Sequence, residues 1–340
     1  MSKNTGSKTK KGKGIDIGTM NIVSAVQFSD GVAYNRIRDA FLDVPVQAKK
    51  MLKLHDNVSY IEDGDHLLIV GDQALDLASV FGRTARRPLQ DGLINPNEIG
   101  SIDVLAYMLK QVLGSPSVEN EVCYYSIPAN PIDDPSKNVV YHKGVFGKIL
   151  KQLGYEPYPS NEAESIVFSN CAQNGFTGLA FSFGSGMTNI ALVINTICCI
   201  EFSIARGGDW IDKGVATSTG TNQARATKIK ESGVDLNKPK NRVEEAISFY
   251  YRELIQYSLD WVAKKFVSSQ SQFNLDQELP IIVSGGTSMP IGFVEFFQKV
   301  FDKKRRRFPL EISEIRHATD PLNAVAQGML IQAMQEYDDQ

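Results

Sequence analysis

The sequence predicts an α/β protein with material for about two domains, and three observations carry that reading. The chain has 340 residues, 42% hydrophobic and 22% charged, which is enough for a sizeable core. A strand, glycine turn, strand pattern occurs twice, at Gly14–Phe28 and at Phe181–Val193. Short apolar runs of strand length alternate with stretches whose apolar residues recur at helical spacing.

Composition removes several function classes. A net charge of −3 is too small to mark a nucleic-acid binder, so no nucleic acid is expected as partner. No apolar run reaches the roughly 18 residues of a membrane span, and the N-terminus lacks an apolar signal region, so the expectation is a cytoplasmic protein. Cys123, Cys171, Cys198 and Cys199 have no metal-ligand spacing and read as buried reduced thiols. The four histidines, His55, His66, His142 and His317, are scattered and form no metal motif.

Residues 1–13 hold five lysines and nothing apolar after Met1, which reads as a disordered basic tail. Gly14–Asn21 follows as strand and turn. Asp16 sits among apolar neighbours, where a carboxylate is costly without a partner; a hydrated Mg²⁺ would be one. The amides of Gly18, Thr19 and Met20 are placed to meet phosphate oxygens, each such charge-assisted bond contributing roughly 1.5–3 kcal/mol.

From Asn35 to Ala78 the pattern weakens into a small inserted subdomain with short strands at Val58–Glu62 and Leu67–Gly71. Pro88–Ile94 leads to a helix with Ile102, Leu105, Ala106, Leu109 and Leu113 on one face. A strand at Glu121–Pro128, a helix over about Asn138–Leu153 and a helix at Asn161–Ala172 precede the second glycine turn, Gly184-Ser185-Gly186. These glycines are free to take φ > 0 and gather amides around an anion, although a ligand-free hairpin would read the same.

A strand near Cys198–Ile204 runs into Gly207-Gly208-Asp209, after which the chain is helical and polar to Ser232. A long amphipathic helix carries Ile247, Tyr251, Leu254, Ser258, Trp261 and Val262 on its apolar face. Strand Pro280–Val283 ends in Ser284-Gly285-Gly286-Thr287-Ser288-Met289, with a helix from about Ile291. Lys303–Arg307 is a run of five basic residues that reads as a solvated helix end, with a partner or lipid site as the alternative. Asp320-Pro321-Leu322-Asn323 starts the last helix.

Taken in order, these motifs resemble the superfamily of actin, heat-shock chaperones and sugar kinases, and within it the bacterial actins of the MreB type. Gly14–Asn21 resembles the first phosphate loop and Phe181–Asn189 the second. Gly207-Gly208-Asp209 resembles the Gly-Gly-Asp that follows it, and Ser284–Met289 the adenosine loop. Pro88–Ile94 and Asp320–Gly328 resemble the two connecting segments. The resemblance implies a two-domain actin-like fold, a duplicated ribonuclease-H-like architecture with a nucleotide cleft. Domain IA would comprise residues 14–34, 79–155 and 320–340, with IB at 35–78. Domain IIA would comprise 156–212 and 241–319, with IIB at 213–240.

It also implies ATP or ADP with Mg²⁺ as cofactors. Asp16 would serve the metal. Gly18, Thr19, Met20 and Asn21 on one side and Gly184, Ser185, Gly186, Met187 and Thr188 on the other would hold phosphates, with Gly208 and Asp209. Gly285, Gly286, Thr287 and Met289 would meet the adenosine, and Lys230 and Glu231 the ribose and base. Self-association into filaments is the implied partner relation, with accessory or adaptor proteins beside it.

The chain departs from this pattern three times. Ser182 stands where the family has an Asp that helps hold the metal's waters. His142 or a neighbour falls where MreB-like proteins place the Glu that orients the attacking water, with Asp133 and Asp134 as substitutes nearby. Residues 211–244 are too few for the usual second-domain cap, which is expected to be helical and reduced. The expected function is an actin-like nucleotide-binding filament protein with slow or altered hydrolysis, since losing a water- or metal-orienting carboxylate lowers turnover by roughly 10²–10⁴. A non-polymerising nucleotide-switched scaffold is the alternative, and a small-molecule kinase a weaker one.

Overall fold

Each half of the chain builds the same five-stranded sheet. The computed structural model describes residues 11–53, 58–269 and 277–338, and the chain divides into two units. The first comprises Met1–Ile127, Val140–Pro159 and Met329–Gln340; the second comprises Pro128–Val139 and Ser160–Gly328.

In chain order the first part contains β1 (Lys13–Ile17), β2 (Asn21–Phe28), β3 (Gly31–Arg38), β4 (Phe41–Pro45), the short α1 (Lys49–Leu52), β5 (Tyr60–Asp63) and β6 (His66–Val70). Then come α2 (Asp72–Ala78), β7 (Leu89–Gln90), β8 (Leu93–Ile94), α3 (Ser101–Leu113), β9 (Glu121–Ile127), α4 (Val139–Gln152) and β10 (Tyr155–Asn161). The remainder is α5 (Glu162–Asn170), β11 (Gly178–Phe183), β12 (Thr188–Ile194), β13 (Ile197–Ile204), α6 (Gly208–Thr219), α7 (Gln223–Glu231), α8 (Arg242–Ser269), β14 (Leu279–Ser284), α9 (Phe293–Asp302), β15 (Ile312–His317) and α10 (Ala324–Asp338).

The sheet of the first unit has the order β10-β9-β1-β2-β3. β1 and β2 form an antiparallel hairpin, β2 pairs antiparallel with β3, and β9 joins the other side of β1 in parallel. The second sheet, β15-β14-β11-β12-β13, repeats this arrangement: β11 and β12 form the hairpin, β13 continues it, and β14 runs parallel to β11. This is the two-domain α/β architecture that the sequence predicts.

Core formation follows from periodicity. On β1, Ile15 and Ile17 are buried on one face, in the same core as α3 residues Val104, Leu105, Met108 and Leu109, the last four with no exposed surface. The predicted face of α3 is rotated, because Ile102 is exposed while Val104 and Met108 point inward. In the second unit, Phe181 and Phe183 of β11 project to one face, where Phe297 meets Phe181 at 5.5 Å and Phe293 meets Phe183 at 5.3 Å, both edge-on. Ile247, Tyr251, Leu254 and Ser258 of α8 lie fully buried in the same unit, as the helical spacing predicts.

The order of the chain begins earlier than the composition indicates. β1 starts at Lys13, inside the stretch read as a tail, because its ammonium is buried and satisfied: Nζ donates to Leu113 O at 2.8 Å, Ser115 O at 2.9 Å and Tyr155 Oη at 2.8 Å, with Glu121 at 3.8 Å. Residues 1–10 of the expected tail lie outside the described residues. The small subdomain is a three-stranded sheet, β4-β6-β5, with α2, while β3 up to Arg38 belongs to the main sheet. Within 213–240 the chain forms the rest of α6 and α7, which ends at Glu231, and is non-helical from there to residue 240. Among the described residues, no helix is long and apolar enough to cross a membrane.

Candidate functional site

The two hairpin turns are built alike, and the glycines serve space rather than a left-handed backbone. In the first, Gly18 N donates to Asn21 O at 3.1 Å, and in the second Gly184 N donates to Met187 O at 3.0 Å. A Cβ on Gly18 would stand 2.9 Å from Asn21 O, and one on Gly184 would stand 2.9 Å from Met187 O. Neither Gly18, Gly184 nor Gly186 has positive φ, contrary to the conformational reason anticipated for the second turn. The constraint is the close approach of a carbonyl three residues on.

In the first unit, Asp16 is half-buried, and its Oδ1 accepts from Ser126 Oγ at 3.0 Å. Burial pushes its pKa up to about 6, partly opposed by the Ser126 hydroxyl and the Arg36 charge. Thr19 is buried and Met20 and Asn21 are half-buried beside it in the turn. Burying this carboxylate is unfavourable in the way a nearby cation would correct, so Asp16 fits a hydrated divalent ion.

His142 lies in α4 of the same unit at 2% exposure. Its Nδ1 accepts from Ile94 N at 3.3 Å, its ring stands edge-on to Phe146 at 4.7 Å, and burial lowers its pKa to about 4. It is a neutral imidazole enclosed in packing. Asp133 and Asp134 sit in the segment of the second unit that precedes α4. Asp133 accepts from Ala205 N at 2.7 Å and Tyr257 Oη at 3.1 Å, and Asp134 is tied to Ser136.

The second unit gathers loops that are far apart in sequence. Gly184 O accepts from Gly208 N at 3.0 Å and from Thr287 Oγ1 at 2.9 Å, joining residues 184, 208 and 287 at one atom. Asp209 N donates to Ser185 O at 2.8 Å at the start of α6. The approach is possible only without side chains: a Cβ on Gly207 would stand 2.5 Å from Ser185 O, and one on Gly285, at φ 90°, would stand 2.4 Å from Phe183 O. Thr188 Oγ1 donates to Arg206 O at 2.9 Å and closes the hairpin base. At the centre, the Ser185 hydroxyl is buried and, among the described residues, has no hydrogen-bond partner.

Lys230 reaches this cluster from α7. Its Nζ donates to Gly208 O at 3.0 Å and to Asp212 Oδ2 at 2.8 Å, and Asp212 is 1% exposed. Burial raises the Asp212 pKa, and the Lys230 charge draws it back. Thr227 Oγ1 also donates to Asp212 Oδ2, at 2.8 Å. Lys230 therefore ties α7 to the glycine pair at residues 207 and 208. Glu231 is exposed at the end of α7, Met289 is 47% exposed, and Gly286 has open space where a Cβ would be.

One carboxylate beside Ser182 escaped the sequence reading. On β11, alternation turns Ser182 away from Phe181 and Phe183 and toward α5, where its Oγ donates to Glu162 Oε2 at 3.0 Å. Glu162 opens α5 just after Asn161, whose side chain accepts from Ala163 N at 2.8 Å. A carboxylate in this first turn is favoured by the helix dipole. The hydroxyl at Ser182 thus holds a carboxylate supplied from 20 residues away. The available signal was the Asn-Glu pair at a helix start.

Cys123 and Cys171 are buried, whereas Cys198 and Cys199 are partly exposed on β13 rather than enclosed. Cys198 lies close to Glu164 and Glu201, with potential ligand atoms of the three within 4.8 Å of one another.

A family model, Volactin, matches residues 12–333, nearly the whole chain. The chain belongs to the Volactin family. No curated protein matches this Volactin-family chain significantly. Among solved structures it is similar to the MamK double helical filament, at 18% identity and a TM-score of 0.73, over 95% of this chain and 98% of that one. It is similar to MreB5 of Spiroplasma citri bound to AMPPNP, at 17% identity and 0.65, over 98% and 99%. The ethanolamine utilization protein EutJ from Carboxydothermus hydrogenoformans is a further neighbour, at 18% and 0.56, over 98% and 92%. At these identities the likeness establishes the fold, which is actin-like and of the MamK and MreB kind.

Proposed function

We propose that this Volactin-family protein is an actin-like cytoskeletal protein that binds ATP or ADP with Mg²⁺ and self-associates into filaments in a nucleotide-dependent way, with slow or altered hydrolysis. The observation that carries the reading is the convergence of three glycine-bearing loops on Gly184 O around a Ser185 hydroxyl that has no hydrogen-bond partner among the described residues. A hydroxyl and backbone amides at a tight turn suit phosphate oxygens. Support also comes from relatives whose structures contain AMPPNP or form a double helical filament.

Under this reading the turn at residues 184–187 and the amides of Gly208 and Asp209 hold phosphates, and residues 285–287 and 289 lie against the adenosine. By the family resemblance, the turn at residues 18–21 is the phosphate loop of the first unit. Lys230 acts by fixing the glycine pair through Gly208 O, and Glu231 and Met289 remain at the rim. Asp16 would hold the Mg²⁺, which neutralises phosphate charge when bound. Glu162 accepts from Ser182, so under this reading a carboxylate supplied by α5 stands beside position 182, where the family has an aspartate.

The test is sedimentation with ATP, ADP and a non-hydrolysable analogue in Mg²⁺, followed by electron microscopy, with phosphate release measured in parallel. Filaments with ATP and slow phosphate release are expected. A protein that binds fluorescent nucleotide yet stays monomeric at tens of micromolar would be a nucleotide-switched scaffold instead. Absence of nucleotide binding would overturn the whole reading.

A further inference from the structure

The basic run at residues 303–307 lies beside a groove that the nucleotide reading does not use. Two cavities of about 370 and 600 Å³ lie end to end along α8 and α9 in the second unit and share Arg252, Val300 and Lys303. The lining on α8 extends from Glu245 to Ala263 in a single stripe at three- and four-residue spacing. At 1.5 Å rise per residue the stripe is about 27 Å long. That length suits an ~18-residue helix or a shorter extended segment.

The floor is apolar, with Leu236, Leu259, Phe296 and Val300 all buried to 6% exposure or less, and Phe249, half exposed, stands at one end. The walls are cationic. Arg252, Lys299, Lys303, Lys304, Arg306 and Arg307 line the groove, against two carboxylates, Glu245 and Asp260. Lys304 is committed to Asp260, and Lys299 donates to Asn237. Lys303, Arg306 and Arg307 are exposed. This concentration of positive charge occurs in a chain whose net charge is −3, so it belongs to the groove and not to the protein at large.

We propose that this groove is the docking site for an acidic, amphipathic segment of a partner protein, with apolar residues on one face and Asp or Glu flanking them. Charge complementarity selects an acidic occupant. The concavity and the buried apolar floor select a chain segment over a lipid surface, because a planar membrane is met by protruding apolar side chains and not by recessed ones. Glu336 of α10 does not fit the role, since its carboxylate accepts from Tyr124 Oη within the first unit.

The experiment uses the full-length protein and fluorescein-labelled 18-residue peptides read by anisotropy. One peptide carries Leu and Phe at helical spacing with Glu elsewhere, a second has Lys for each Glu, and a third has the Glu/Leu composition scrambled. Vesicles of phosphatidylserine with phosphatidylcholine and a single-stranded oligothymidine are run alongside. Binding of the acidic amphipathic peptide is expected, weakening with salt, at least about tenfold weaker for R306E/R307E, and weaker for Phe249→Ser. Both variants alter exposed side chains and are checked for unchanged melting. Equal binding of the scrambled peptide would overturn the proposal, as would R306E/R307E binding like wild type. So would retention of vesicles or oligothymidine, lost in R306E/R307E, without retention of the peptide.

Discussion

Replacing Lys230 by methionine tests the electrostatic centre of the second unit. The substitution keeps the length of the stem and removes a charge that is 2.8 Å from Asp212 Oδ2, with side-chain exposures of 10% and 1% for the two partners. Asp212 would keep only the Thr227 hydroxyl on that oxygen, and its other oxygen has no partner among the described residues. Breaking a buried pair on one side costs about 3–5 kcal/mol, because the remaining charge is left without compensation. Burial already raises the Asp212 pKa, and without Lys230 it rises further. A carboxyl with a raised native pKa binds its proton more tightly when folded, so the variant's stability is greatest in acid and is lost as pH rises through that pKa. The deficit against wild type should therefore shrink as pH falls and the carboxyl becomes protonated in both the folded and the unfolded chain. Both tryptophans, Trp210 and Trp261, lie in the second unit, so denaturant titration followed by their fluorescence reports on it. D212N/K230M should recover most of the loss. A K230M deficit under about 1 kcal/mol at pH 7, or no recovery in the double variant, would refute the reasoning.

Three further predictions follow from the same geometry. Gly207→Ala places a Cβ against two backbone oxygens and should cost about 1–3 kcal/mol while weakening fluorescent-nucleotide binding; Gly286→Ala, with open space, should leave melting unchanged. Ser182→Asp brings a second carboxylate beside Glu162, so without Mg²⁺ it should lower stability by about 1–3 kcal/mol above pH 5, and E162Q/S182D should restore it, as read by thermal melting. His142, with its pKa lowered to about 4 by burial, should contribute stability that is present above pH 6.5 and lost as pH falls toward 4. About 3 kcal/mol is at stake, and hydrogen exchange of α4 amides in wild type and His142→Asn would show whether that dependence disappears.

The parts of the fold legible in sequence are those that bury a full face. β1, β11 and β14 lie inside their sheets and α8 fills a core, so their periodicity is strong. The strands missed were edges. β3 has mostly exposed or half-buried residues, β10 contains Pro157 and Pro159, which an edge strand tolerates, and β15 alternates with Glu and Arg. At the site, the glycine loops could be read because close backbone approach demands glycine wherever it occurs. Glu162 could not, since its relation to Ser182 arises from how α5 packs on β11. Lys230 was singled out in the sequence by the family resemblance, but its bond to Asp212 depends on how α6 and α7 meet, which no spacing records.

The way the first unit is closed bears on how the protein is made. Its first strand begins against the last helix: Gly12 packs on Ala333, and Val122 and Tyr124 of β9 bond Tyr337 and Glu336 of α10. Residues 329–340 are thus part of a unit whose other members lie at the opposite end of the chain. During synthesis, everything the second unit needs has been translated once residue 328 is made, whereas the first unit must wait for its closing helix. The domain begun first is thus the one completed last, although N-terminal domains usually mature first on the ribosome.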